Sequence, residues 1–345
     1  MVTAGGVSLP EALWPQAVPC RHWDEATVHR RLCADPAGYL AFAADYLADL
    51  TSGRAQLQMP AKQVLDDPDG GDFRLMPCVL RGPRGTFKTV KIIGTNRRQT
   101  LLPGQITVGE LLVLDAAEQF VRERFDACLL SSARTGLVAA LALGRLAPRA
   151  RHVAVIGAGR VGFYTALYCA ASGAVEQIDI ADRDHIRARD VAQVLARHGL
   201  SCRAVPAADP GCDAWLLATT SEAPFCEPPP AAPAVVVSLG ADATGQRELA
   251  DAWAGRARLW VDSADAVNYG DLLAWRRQGL IDDAPPPDLL ALRCDPPEPA
   301  APGEQRLFIS TGCALYDNLT AAYLLAGEDQ PQQIGRDHPD MTRRV

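Results

Sequence analysis

The stretch VAVIGAGRVG, Val153 to Gly162, limits what this chain can fold into more than any other part of it. An apolar run that reads as a buried strand ends in G-x-G-x-x-G, and the helix-forming stretch FYTALYCAASG follows at once. Asp182 stands 20 residues beyond Gly162, at the end of the next apolar run, where a carboxylate can accept from ribose hydroxyls. Gly157 permits the tight turn, Gly159 lets the backbone approach a pyrophosphate, and Gly162 lets helix meet strand. The pattern predicts a dinucleotide-binding turn built from Gly157, Ala158, Gly159, Arg160, Val161, Gly162 and Asp182. An acid at 182 disfavours a 2′-phosphate and points to NAD; the adjacent Arg183 is able to pair with one, so NADP stays open. Asp179 is the competing acid, but it falls inside the strand and reads as a satisfied sheet residue.

From His152 onward strand-like and helix-like runs alternate: EQIDIAD, RARDVAQVLARHG, SCRAVPA, AWLLAT and AVVVSLG. Such alternation predicts a parallel sheet of the Rossmann type with helices on both faces. The upstream half reads differently. Residues 24–50 form two helical pieces broken near Asp35-Pro36, and 54–95 holds short runs separated by DDPDGG and RGPRG, a small antiparallel sheet. GELLVLDA adds a strand, residues 129–147 a long helix, and 311–327 a helix that returns to the first part.

The 345 residues carry Lys+Arg 34 against Asp+Glu 41, a net charge of -7, which excludes the overall basic field of a nucleic-acid or anionic-membrane binder. A small-molecule partner is the expectation. No apolar run reaches the roughly 18 residues of a membrane span, and the start MVTAGGVSLPEALWP lacks signal-peptide character, so a cytoplasmic protein is expected. Ten cysteines without a C-x-x-C pair read as free thiols, a Cys202–Cys212 disulfide being the alternative. The six histidines show no ligand spacing, and no metal is expected.

Cationic residues stand out in the first part: Lys62 in MPAKQVL, Lys88 and Lys91 in FKTVKIIGTN, and Arg134-Thr135 in SSARTG. A substrate carboxylate needs paired or bidentate cations, for which Arg134, set between apolar stretches, is the best placed. Asp242 in VVVSLGAD lies just past a strand end, where parallel sheets bind ligands; it reads equally as a base, an ammonium partner or a helix cap. Asp262 in LWVDS has the same ambiguity.

MPAKQVL, LMPCVL, VKIIGTN, SSARTGLVAALAL, VAVIGAGRVG, VSLGAD, GQRELAD, LWVDS and ISTGCALYD occur in an order that resembles the ornithine cyclodeaminase/mu-crystallin family, over about residues 54–327. The resemblance implies an α/β fold with a Rossmann-type parallel-sheet domain inserted into a smaller α+β substrate and dimerisation domain. Residues 1–130 and 310–330 would make the latter, 131–309 the former, and 331–345 a disordered tail. Dimers would join the small sheets of two subunits. By motif, Lys62 stands where many members have a carboxylate-binding Arg, Lys91 matches a substrate-contacting Lys, Arg134 the carboxylate-binding Arg, and Asp242 the acid that meets the substrate amine. Lys91 and Asp242 are thus the catalytic candidates, Lys62, Lys91 and Arg134 the substrate ones, and Thr135 joins the cofactor group.

The departures from the family pattern carry information too. Ornithine cyclodeaminases have an acid just before L-M-P, whereas this chain has Arg74. V-K-I-I-G-T-N and S-S-A-R-T look closer to the branch that oxidises N-(2-amino-2-carboxyethyl)-L-glutamate to release 2,3-diaminopropionate for siderophore and antibiotic assembly. That branch continues N-x-x-x-G-L-P-R-A-S, and here the segment is NRRQTLLPGQITVG. The expected activity is NAD-dependent oxidation of the C–N bond of an amino acid or N-substituted amino acid. Cyclodeamination, imine reduction and non-catalytic binding are its rivals.

Overall fold

The computed structural model describes residues 10–66, 71–96, 100–102, 105–228, 235–242, 245–298, 300–301 and 303–326; the expected tail at 331–345 lies outside the described residues. Two helices lead in, and local chemistry sets their bounds. Asp24 caps α1 (Glu25–Ala34) by accepting from the Thr27 N–H, and Asp35 caps α2 (Pro36–Thr51) by accepting from the Gly38 N–H. Pro36 sits in the first turn of α2, where its missing N–H leaves no helix bond unmade.

The first sheet runs β1 (Arg21–Trp23), β7 (Val121–Asp126), β6 (Thr107–Leu114), β5 (Gly85–Thr95), β4 (Asp72–Gly82), β2 (Gln56–Gln58), with β3 (Gln63–Asp66) also on β4. It is antiparallel, as expected, except that β1 joins β7 in parallel. Alternation along β4 turns Arg74, Met76, Cys78 and Leu80 inward, toward α8 (Ala314–Ala326), which packs on β4 and β5. Asn318 of α8 fastens that contact, donating to the Phe87 carbonyl (3.1 Å) and Thr89 Oγ1 (3.0 Å).

The second sheet is parallel throughout, in the order β10 (Cys202–Val205), β9 (Gln177–Ala181), β8 (His152–Ile156), β11 (Ala214–Leu217), β12 (Val235–Ser238), β14 (Arg306–Ile309), β13 (Arg258–Val261). The order reverses between β8 and β11, the crevice where such sheets bind ligands. Helices α4 (Arg160–Ala171) and α5 (His185–Arg197) link the first three strands, and α6 (Gly270–Arg277) and α7 (Leu289–Cys294) lie between β13 and β14. All ten cysteines are free, so Cys202 and Cys212 form no disulfide.

Helix α3 (Ala127–Leu146) joins the two sheets, packing on α1, α4, α8 and β6. By length and composition it is long and apolar enough to cross a membrane, yet 78% of its most apolar window is buried in the core. Arg134 and Thr135 ride on this helix.

Candidate active site

The glycine loop has the geometry its sequence demands. Gly157 has φ 111°, and a Cβ there would stand 2.4 Å from the Ala218 carbonyl; at Gly162 it would stand 1.8 Å from the Gly157 carbonyl. Gly159 is the N-cap of α4 and faces open space, which leaves the first amides of α4 free to meet an anion. At the end of β9, Asp182 steadies the loop: its Oδ2 accepts from the Ala158 N–H (2.7 Å) and its Oδ1 from the Asp184 N–H (2.8 Å). Each oxygen retains a lone pair for a further donor. Arg183 is exposed one residue on. Asp179 is held inside the sheet by Arg203 (2.7 and 3.1 Å) and His152 (3.0 Å). With Cys212 these form a His–Asp–Cys group at the opposite end of β8 from the loop, but Arg203 occupies the carboxylate and burial pushes the Cys212 thiol up to about 11.

Two cations, Lys91 of the first sheet and Arg134 of α3, come together. Lys91, only 1% exposed, lies 2.8 Å from Asp317 Oδ1 and 2.7 Å from Oδ2. Arg134 reaches the same Oδ1 with Nε (3.1 Å) and donates from Nη2 to Ser131 Oγ (3.2 Å). One buried carboxylate thus holds two cations. Burial works against the charge on Arg134, but Asp317 and Asp262 outweigh it. Burial lowers Lys91 to about 8, with Asp317 opposing the fall. Gly312, at φ 82°, lies flat against Arg134, and a Cβ there would stand 2.7 Å from Nη2. Asp262 secures that turn, accepting at Oδ2 from Ser310 Oγ (2.8 Å) and the Gly312 N–H (2.7 Å).

Asp242 is not a cap: no helix starts at it among the described residues. Instead it bridges the two sheets, since Arg74 of β4 donates from Nη1 to its Oδ2 (3.0 Å) while Nε and Nη2 grip Asp72 (2.7 and 3.1 Å). Burial pushes the Asp242 carboxyl up, but Arg74 and then Lys62 hold it below the usual range. Its loop hangs on Glu248, fully buried, whose carboxylate accepts from the Thr219 N–H and Oγ1, Ser238 Oγ and the Gly240 N–H within 2.9 Å.

These pieces wall one cleft of about 1280 Å³, bordered by Arg134, Thr135, Ala158, Gly159, Arg160, Val161 and Asp242. Lys91 does not border that cleft and lies behind its wall at Asp317. Lys62 borders a smaller neighbouring cavity of about 390 Å³, and Lys88 bonds the Ala116 carbonyl away from the site. Sequence reasoning missed Asp317 and the partnership of Arg74 with Asp242. Asp317 had one signal, as the sole charged residue of its helix.

A search of curated proteins finds no match. Among solved structures, Thermococcus litoralis Delta(1)-pyrroline-2-carboxylate reductase in complex with NADH and L-proline shares the fold at TM-score 0.74 and 19% identity, over 89% of this chain and 96% of that one. An archaeal alanine dehydrogenase dimer with bound NAD gives 0.75 and 19%, over 89% and 95% of the two chains. A lysine cyclodeaminase gives 0.72 and 23%, over 90% and 92%. The profile of the ornithine cyclodeaminase/mu-crystallin family matches residues 29–322, so the chain belongs to that family.

Proposed function

We propose that this protein is an NAD-dependent oxidoreductase that oxidises the C–N bond of an amino acid or N-substituted amino acid to an imine, which water then hydrolyses. The observation that carries this reading is the single cleft walled by the glycine loop on one side and by Arg134 and Asp242 on the other. At about 1280 Å³ it exceeds the roughly 300–1,000 Å³ of an ordinary ligand pocket and has room for a dinucleotide beside a small amino acid. On this reading residues 131–309 hold the dinucleotide, and residues 1–130 and 310–330 hold the substrate.

The loop residues fit the cofactor: Gly159 faces open space, the α4 amides are uncapped by any side chain, and Asp182 ends β9 where a ribose would lie. NAD supplies the hydride acceptor when bound. Arg134 receives the substrate carboxylate in its guanidinium fork, aimed by Asp317 and backed by Gly312. Lys91 holds Asp317 in place, an indirect part in catalysis. Asp242, held ionised by Arg74 and Lys62, accepts from the substrate nitrogen. Lys62 adds positive field without an ion pair of its own among the described residues.

Arg74 favours oxidation over cyclodeamination. A distal substrate ammonium would have to compete with the Arg74 guanidinium for Asp242 Oδ2. A second copy of the chain would cover Leu65, Phe73 and Ile92, exposed on the first sheet. The test is purified protein with NAD+ and a panel of L-amino acids and N-carboxyalkyl amino acids, followed by NADH absorbance and mass spectrometry. NADH accumulating with a keto or deaminated product is expected; a cyclised, ammonia-releasing product without net NADH would move the assignment to a cyclodeaminase.

A further inference from the structure

Arg134 is held from two sides, and the second side leads out of the cleft. On one side Asp317 takes its Nε. On the other lies the Thr311–Gly312 turn, where Gly312 at φ 82° sits so close that a Cβ would stand 2.7 Å from Nη2. A turn packed that tightly sets where the guanidinium points, so whatever fixes the turn also aims Arg134. Asp262 holds it through Ser310 Oγ and the Gly312 N–H. The Thr311 carbonyl between them has a different partner: Lys62 Nζ donates to it at 2.9 Å.

Lys62 is itself tied at every polar atom. Its backbone N–H donates to Asp265 Oδ2 (3.3 Å), its carbonyl accepts from Tyr269 Oη (3.2 Å), and its ammonium stands 3.7 Å from the centroid of the same Tyr269 ring. Asp265 and Tyr269 lie between β13 and α6, whereas Lys62 leads directly into β3 of the first sheet. One residue therefore joins the first sheet, the segment after β13 and the turn before α8. Three residues upstream, Met59 Sδ accepts from the Leu315 N–H (3.2 Å), a second tie from the same link to the start of α8.

By motif, position 62 is where many members of the family carry a carboxylate-binding Arg. Here the charge is directed at the Thr311 carbonyl and the Tyr269 ring, and neither Lys62, Thr311 nor Tyr269 borders the main cleft. An ammonium seated between a carbonyl oxygen and an aromatic face is attracted by both, and acts as a fixed cation.

We propose that Lys62 is a positioning residue: it clasps the Thr311–Gly312 turn by its carbonyl, and that turn aims the Arg134 guanidinium at the substrate carboxylate, which Lys62 does not touch. The inference rests on the oxidoreductase reading and names a residue that prepares its substrate anchor from outside the cleft.

Tyr269 provides the telling variant, because it touches Lys62 and does not border the cleft. With a panel member that the wild type oxidises, Lys62→Met should raise KM about 30-fold, with kcat within about 3-fold and calorimetric NAD affinity within about 2-fold. Lys62→Arg, which keeps a donor and a charge, should recover most of that loss. Tyr269→Leu should raise KM about 5-fold, and the double variant should be no worse than Lys62→Met, since both cut one chain of contacts. A wild-type KM in Tyr269→Leu would overturn the proposal and make Lys62 a direct substrate ligand. A Lys62→Met enzyme that loses stability yet keeps the wild-type KM would overturn it as well. A crystal structure of Lys62→Met without substrate should show the Thr311–Gly312 turn displaced and the Arg134 guanidinium rotated with it. That readout needs no turnover: Arg134 in its wild-type position would overturn the clasp. A rotated Arg134, in a protein whose wild type oxidises no panel member, would support the clasp and count against the oxidoreductase reading.

Discussion

From Gly157 to Gly162 one side of the cleft presents backbone: a turn at φ 111°, an open N-cap and the first amides of α4. Facing it are Asp72 of β4, Arg134 of α3 and Asp242 of the loop after β12, backed by Lys91 of β5 and Asp317 of α8. The first side depends on where side chains are missing, since a Cβ at Gly162 would collide with the Gly157 carbonyl. The second depends on charges that are stable only because others neutralise them: Arg134 and Lys91 share Asp317, and Arg74 divides itself between Asp72 and Asp242. Backbone recognition can be local because six consecutive residues suffice. Buried charge must be assembled by the whole fold, because a lone buried ion costs several kcal/mol and needs a partner from elsewhere.

That contrast is open to direct attack. Arg134→Ala should lower kcat/KM about 1000-fold, the loss of a charge-assisted anchor, while calorimetric NAD affinity stays within about 2-fold. A fall in both would mean that the two sides are not separable. Asp317→Asn leaves two cations sharing no acid and should lower stability to denaturant by about 3 kcal/mol. Gly162→Ala should weaken NAD binding about 100-fold and leave the Arg134–Asp317 pair intact, as seen by crystallography; unchanged NAD affinity would remove the loop from the reading. Asp182→Ala should cost about 10-fold in NAD affinity and narrow the preference over NADP, a smaller effect because one hydrogen-bonding group is lost.

The smallest expected effect is on pH stability. Burial raises the thiols of Cys78, Cys169 and Cys226 to about 12 from an ordinary 9.0. Above that ordinary value the unfolded chain releases these protons while the folded chain keeps them, so folding stability is full below about pH 9 and declines as pH rises toward 12. Lys62 and Lys91 act in the opposite sense between about 8 and 10.5, but they are two groups against a larger set of buried thiols. Thermal melts from pH 8 to 10.5 should show a net decline above 9; a rise would mean that the lysines dominate.

Helix bounds at Asp24, Asp35 and Gly159, and the strand, turn and acid around Gly157, are legible in the chain because each is decided within a few residues by capping, proline and glycine geometry. Strand β7 is not: Arg122 and Arg124 point outward on either side of Glu123, which is buried against Arg21 and Trp23, so the run VRERFD reads as polar. Strand β14 is hidden for another reason, as four residues whose partners β12 and β13 lie earlier in the chain.

The residues by themselves determined a dinucleotide turn, a parallel sheet after His152, a smaller sheet before it, and Arg134 and Asp242 as candidates. Only the tertiary structure decided that Lys91 stands behind the wall of the cleft, that Asp317 holds two cations, and that Arg74 takes one oxygen of Asp242. The reason is range: a turn is fixed by torsions of adjacent residues, whereas the charge state and aim of a buried side chain depend on groups that only folding brings within a few ångströms.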